Sequence, residues 1–299
     1  WRVKVEQGRV FLYGRTGFAS AAAVTEFAER HCGYLFLSED GDDPCTFRPE
    51  LTVPVTDVMV RPAIYQRNIF HKVDYYQIPK DRPQRLADFC RRRRCTIERN
   101  RDRMRFECEG EWRPSQLIHR YHSAFDYLPP ETWFEPHPEY YSMGADGLRH
   151  GVRNAKSQLC YTHPETRRLV YEALVRFVEA DCAKYGADAP CVYSLSQMDN
   201  CDYLCLCADC RKVIAKYNRV PGGHKEGGDA GLQLEFVNDL ARRIRECHPD
   251  VRLAVYAYNS TENVPREGTI RPESNVIVEW CDLYSRSDHT LPLTTPGHY

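Results

Sequence analysis

PCVYSLSQMDNCDYLCLCADC, residues 190–210, begins as a short apolar run, turns at an aspartate and an asparagine, and then places four cysteines within ten positions. The run PCVYSLSQ (190–197) has the length and composition of a buried strand. Its neighbours decide what kind of sheet it enters. Upstream, a helix is predicted from Thr162, where Thr162 and Glu165 have capping-box spacing. Along it, Leu169, Ala173 and Phe177 beside Val170, Leu174 and Val178 form one apolar face. Downstream, DAGLQLEFVNDLARRIREC (229–247) brings Leu232, Phe236, Leu240 and Ile244 into helical register, after the flexible loop PGGHKEGGD (221–229).

Working outward, short apolar strands are predicted at 63–70, 115–125, 157–162, 190–197, 251–258 and 274–280, with helices between many of them. Strands alternating with helices argue for parallel pairing, and six such units argue for a (β/α)8 TIM-type barrel over an open sheet. A closed barrel needs eight strands, so the expectation is an α/β barrel cut short after about six, the other two lying beyond Tyr299. The start at Trp1, without an initiator methionine, reads likewise as a fragment or a processed form.

Ahead of the barrel, WRVKV and RVFLYG read as strands, TGFASAAAVTEFAERHC as a helix and GYLFL as a buried strand, a small α/β unit with a crossover. A proline-containing linker from Ser38 to Arg61 follows, with LTVPVTDVMV as a short extended segment. The expected domains are therefore 1–60, a small N-terminal α/β domain with linker, and 61–299, the barrel.

Composition narrows the function. Forty-one Lys and Arg against 42 Asp and Glu give a net charge of −1, so no global field favours nucleic acid or an anionic membrane surface. The run RRRR at 91–94 reads as the solvated end of a helix, since no glycine-rich or aromatic groove surrounds it. No apolar stretch has the length of a transmembrane helix, and no signal peptide is visible. Of fourteen cysteines, Cys32, Cys160, Cys191 and Cys281 sit singly in or beside apolar runs and read as small buried apolar side chains.

In a barrel of this type the loops after the strands converge on one face and carry the chemistry. That rule selects Arg67 and Asn68, His122 and Asp126, Gln197, Asp199 and Asn200, Tyr256, Tyr258 and Asn259, and Glu279 with Asp282. Amides and charged forks bond sugar hydroxyls, and aromatic faces pack on a pyranose ring. Asp199 with Glu279 or Asp282 could supply the two carboxylates that glycoside hydrolysis requires. Arg67, Asn68, His122, Gln197, Asn200, Tyr256 and Tyr258 would bind the substrate. The ordinary alternatives are an Asx turn at Asp199, an outward-facing Glu279 and a structural hydrogen bond at His122. HPEYY (137–141) and HPE (163–165) do not read as metal sites, because no helical pair of histidines four residues apart is present.

Cys201, Cys205, Cys207 and Cys210 are separated by four, two and three positions, whereas a zinc ribbon closes its tetrahedron from two distant knuckles. A local disulfide or reduced cysteines ordering the loop is preferred over zinc held by these four. A redox role for Cys207 and Cys210 is weaker still. No metal and no other cofactor is expected.

FLYGRTGFASAAAVTEFAERHCGYLFL, RPAIYQRN, HSAFDYLPPETWFEPHPEYYSM, SQLCYTHPE, SLSQMDNCDYLCLCADC, LEFVNDLARRIRECHPDVRLAVYAY and NVIVEWCDLY occur in one order along the chain. That series resembles a bacterial family of glycoside-hydrolase-like proteins long labelled a domain of unknown function, which looks related to α-glucuronidases and more distantly to β-hexosaminidases. The resemblance implies a small α/β domain before a catalytic barrel, a saccharide substrate and a secreted or periplasmic setting. It places the general acid after the fourth strand, near Asp199, and draws the base from later strands, here Glu279 or Asp282. Three departures stand out: an aspartate where related α-glucuronidases use glutamate as acid, the absence of the seventh and eighth strands, and Glu279 in VIVEW. The leading expectation is a glycosidase acting on a polysaccharide or glycan, with inversion favoured by the resemblance. The alternatives are a non-catalytic carbohydrate-binding protein on the same fold and a zinc-dependent site on Cys201 to Cys210.

Overall fold

The structure is a computed structural model that describes residues 1–38, 40–41, 43–46, 50–62, 82–95, 97–98, 106–107, 115, 117–119, 121–153, 157–199, 203–221 and 226–281. The chain divides into two compact units, Trp1–Trp112 and Arg113–Tyr299. The boundary expected at 60/61 falls inside the first of them.

In the first unit, β1 (Arg2–Glu6) and β2 (Arg9–Tyr13) pair antiparallel. Val3 and Val5 alternate inward and are 1% and 6% exposed. The helix α1 (Gly17–Phe27) starts where the Thr16 hydroxyl accepts the Ala19 N–H at 3.1 Å, and it buries Ala19, Ala22 and Ala23. The third strand is not GYLFL. It is β3 (Thr56–Met59), drawn from the segment read as linker, and it pairs antiparallel with β1 to give the order β2-β1-β3. Since β2 and β3 both oppose β1, they run parallel to each other, and the crossover through α1 closes one segment later than expected. At 33–37, Gly33 takes a left-handed φ of +76° and Leu35 and Leu37 are exposed. The Asp43 carboxylate accepts the N–H groups of Leu37 and Ser38 at 2.8 and 3.0 Å, so those donors are withdrawn from any ladder. Arg91, Arg92, Arg93 and Arg94, at the end of α2 (Arg82–Arg92), meet Asp88, Asp43, Glu29, and Glu26 with Glu29 respectively. The basic run is thus balanced within its own unit.

The second unit holds α3 (Pro164–Tyr185), β4 (Val192–Ser194), α4 (Ala208–Tyr217), α5 (Gly228–Cys247), β5 (Arg252–Ala257) and β6 (Val276–Trp280). The three strands are parallel, in the order β6-β5-β4. Register divides the sheet into two faces. Tyr193 pairs with Leu253, and Leu253 with Val276. That face lies in the core with Val170, Leu174 and Val178 of α3 and Leu232, Phe236, Leu240 and Ile244 of α5. Each such fully buried large side chain contributes roughly 1.5–3 kcal/mol. Ser194 pairs with Ala254 and Ala254 with Ile277, while Tyr256 pairs with Glu279, so these five side chains share the opposite face.

Three expectations in this unit are corrected. Thr162 does not cap α3: the helix begins after His163 with Pro164 in its first turn, and the Thr162 hydroxyl lies 3.1 Å from the Cys210 sulfur. Among the described residues, 115–125 is not a strand but a set of bends and the helical turn Ala124–Tyr127. Its described residues still follow the edge of β4 away from β5, with Ser115 N–H donating to Val192 O and Ala124 N–H to Ser196 O, both at 2.9 Å. Residues 157–162 form a single bridge, Tyr141 with Leu159, instead of a ladder. The strand expected at 63–70 lies outside the described residues. No described helix is long and apolar enough to cross a membrane.

Candidate functional site

The face of the sheet that carries Ser194 and Tyr256 ends in a group of side chains drawn from three segments. Asp199 follows β4, Tyr256 and Tyr258 come from the end of β5, and His122 lies on the segment along the edge of β4. The Tyr258 hydroxyl donates to Asp199 Oδ1 at 3.1 Å, and His122 Nε2 stands 3.8 Å from the same oxygen. His122 Nδ1 lies 3.0 Å from the Gln197 carbonyl, which can only accept, so Nδ1 donates to it and Nε2 faces the carboxylate. The His122 ring meets Tyr256 edge-on at 5.9 Å and Tyr258 at 5.7 Å. Tyr121, half-exposed, stacks on Tyr256 at 5.4 Å. The result is a wall of aromatic surface beside a carboxylate that is 59% exposed.

The wall is held from beneath. Gln197 is fully buried: its Nε2 donates to the Tyr258 carbonyl at 2.7 Å, and its Oε1 accepts from the Thr261 hydroxyl at 2.8 Å and Gln233 Nε2 at 3.3 Å. Gln158 clamps the next residue, donating to the Met198 carbonyl at 2.9 Å and accepting its N–H at 2.8 Å. Both His122 and Asn259 adopt left-handed backbone, with φ of 54° and 55°. Such conformations cost about 1–3 kcal/mol each and persist where surrounding contacts dictate them.

A second cluster lies behind the Asp199 loop. The sulfurs of Cys160, Cys205, Cys207 and Cys210 all fall within 4.8 Å of one another, and every one of the four side chains is buried. Hydrogen bonds from the Cys205 and Cys210 thiols, against the opposing effect of burial, hold the Cys160 thiol far below the ordinary thiol range. The Cys205 thiol is in turn pushed up to about 12, mainly by its bond to Cys160, and Cys210 is raised further. Among the residues described, these are the ones that could hold a metal ion.

Compared with known families, residues 48–298 match the domain of unknown function DUF4838. The chain belongs to the DUF4838 family. No curated protein and no solved structure matches it.

The side chains predicted for the site in this DUF4838 chain have different fates. Asp199, His122, Tyr256 and Tyr258 come together as described above. Glu279 sits in register with Tyr256, which puts it on the same face of the sheet as that ring. Gln197 lies beneath the rim, its amide engaged within the protein, and Asp126 is turned aside into bonds with His119 at 2.8 Å and Arg153 at 3.3 Å. Arg67, Asn68, Asn200, Cys201 and Asp282 lie outside the described residues. Cys205, Cys207 and Cys210 converge, with Cys160 beside them. Sequence reasoning missed Tyr121 and Cys160. Tyr121 neighbours a selected histidine, a signal that could have found it; Cys160 carries no local signal, standing 45 positions from Cys205.

Proposed function

We propose that the chain is a glycoside hydrolase acting on a polysaccharide or glycan, one that can include uronic acids, on a (β/α) barrel related to those of α-glucuronidases. The observation that carries the reading is the meeting of Asp199, Tyr258 and Tyr256 at the carboxyl ends of two adjacent parallel strands, with His122 beside them from the segment along β4 and Glu279 one strand further on the same face. The packing of α3 and α5 on one face of the sheet, and the hydrogen bonds of Ser115 and Ala124 along the edge of β4, support the barrel. A secreted or periplasmic setting suits such a substrate.

In this reading Asp199 is the general acid that protonates the leaving oxygen, with the Tyr258 hydroxyl fixing its orientation. Glu279 or Asp282 activates water as base, and the aromatic wall of Tyr121 and Tyr256 packs on a sugar ring. Arg67, Asn68 and Asn200 would complete the hydroxyl contacts, while His122 and the buried Gln197 position the others. An acid and a base acting on opposite faces of the sugar need carboxyl groups about 6.5–9.5 Å apart, the inverting arrangement.

One observation favours a second reading, a carbohydrate-binding protein without turnover. Asp199 is 59% exposed, whereas glycosidase acids are raised toward neutral pH by apolar surroundings. Hydrolysis of uronic-acid, hexosaminide and neutral glycans by wild type and Asp199→Asn separates the two. Cleavage that falls about 10²–10⁴-fold in the variant supports the enzyme. Sugar binding with no cleavage of any glycan moves the assignment to the binding protein.

A further inference from the structure

Four sulfurs that no interval in the sequence ties together meet inside the second unit. Cys160 belongs to the extended segment before α3, Cys205 and Cys207 to the loop beyond Asp199, and Cys210 to the first turns of α4. The Cys160 sulfur lies 3.7 Å from that of Cys207, 3.9 Å from Cys210 and 4.0 Å from Cys205. Disulfide sulfurs stand about 2.05 Å apart. Ligands at 2.3 Å around one tetrahedral ion stand about 3.8 Å apart. The spacing is therefore that of four ligands around a common point. We propose that Cys160, Cys205, Cys207 and Cys210 bind one zinc ion in a closed structural site.

The surroundings fit thiolates better than a plain apolar packing of thiols. The Met143 N–H donates to the Cys205 sulfur at 3.3 Å, and the Thr162 hydroxyl is placed to donate to Cys210 at 3.1 Å. Arg149 Nη1 stands 4.0 Å from the Cys205 sulfur while also donating to the Tyr141 carbonyl at 2.6 Å. Backbone and side-chain donors aimed at the sulfurs are the outer shell of a metal tetrathiolate, and a guanidinium offsets its excess negative charge. Four sulfur ligands select zinc or iron among common metals. With every position taken by protein, the ion has no place for substrate, and its work is structural.

The site also explains why a distant residue is recruited. Cys205 and Cys207 alone would close only one side of the tetrahedron; Cys160 closes it from the segment whose Gln158 already clamps Met198. The ion would thereby fasten the loop after Asp199 to the segment before α3. This inference does not rest on the glycosidase reading, because metal content is measured without any substrate.

The test is elemental analysis of the full chain purified without chelators or metal-affinity resin. One zinc per chain is expected, together with tetrahedral thiolate-to-cobalt absorption after exchange with cobalt(II). Cys160→Ser and Cys210→Ser should lose the zinc, while Cys182→Ser, an exposed position on α3, should keep it. Should those variants fail to fold, the wild type still decides: a chelator should expose four additional reactive thiols and lower the thermal midpoint. Metal-free native protein whose midpoint ignores chelator overturns the proposal. So does a disulfide among the four cysteines, iron in place of zinc, or full zinc retention by folded Cys160→Ser.

Discussion

Asp181, near the carboxyl end of α3, is 1% exposed, a position where an uncompensated carboxylate costs several kcal/mol. Its Oδ2 accepts the Ser115 hydroxyl at 2.6 Å and the Tyr193 hydroxyl at 3.0 Å. Burial, and then the neighbouring Asp181, keep the Tyr193 hydroxyl protonated well above the ordinary tyrosine range, so it remains a donor. Tyr193→Phe removes that donor at nearly constant volume and should cost about 1–3 kcal/mol, read as a lower urea midpoint with unchanged slope. Tyr193 faces the helices while Ser194 faces the rim, so on the proposed function any glycan binding or cleavage per folded molecule should not change. At this scale the sequence was partly legible. Asp199, Tyr256 and Tyr258 could be selected because they follow or end parallel strands, whereas His122 was selected on an expected strand that is instead a bend beside β4. Gln197 could not be told from a sugar ligand, because an amide reads the same whether it bonds substrate or, as here, a neighbouring backbone carbonyl.

Among the elements, α4 and α5 pack through glycine. A Cβ on Gly231, at the end of the first turn of α5, would lie 2.3 Å from both Cβ and Cγ of Tyr217. Alanine would gain about 1 kcal/mol in helix propensity there. Tyr217 is 3% exposed and its Cβ is fixed to the backbone of α4, so the overlap must push the helices apart. Overpacking costs about 1–3 kcal/mol, and Gly231→Ala should therefore destabilise the protein in a denaturant titration despite the better propensity. Both long helices were readable, since Leu232, Phe236, Leu240 and Ile244 at helical spacing are all fully buried. The strand assignments divided by partner. Val192–Ser194, Arg252–Ala257 and Val276–Trp280 form ladders, whereas the apolar stretches at 33–37 and 115–125 do not, their backbone donors being met by a side chain or by a few edge bonds. Apolarity marks a segment for burial and says nothing of which strand it pairs with.

For the whole molecule, the pH dependence of stability follows from carboxylates at its surface. Glu273 is held below the usual range, first by its bond to Arg242 and, against partial burial, by Arg245. Asp57 is lowered by Arg2 and Asp146 by His150. Each of these acids is a weaker base folded than unfolded, so protonation favours the unfolded chain. Their contribution is complete above about pH 5 and is lost as pH falls through about 4 and below. Thermal midpoints should be level from about pH 5 to 7 and decline beneath that, with a shallower decline in high salt because these groups are exposed. What the sequence by itself determined is local: helical periodicity, the parallel sense of strands separated by helices, and the placing of Asp199 just beyond a buried strand. Tertiary structure alone decided which segment completes the first sheet, which face Glu279 shares, and that Cys160 joins Cys205, Cys207 and Cys210. The physical reason is range: propensity and periodicity act over one or two turns of chain, whereas pairing, register and a four-sulfur cluster are set by packing residues far apart in sequence.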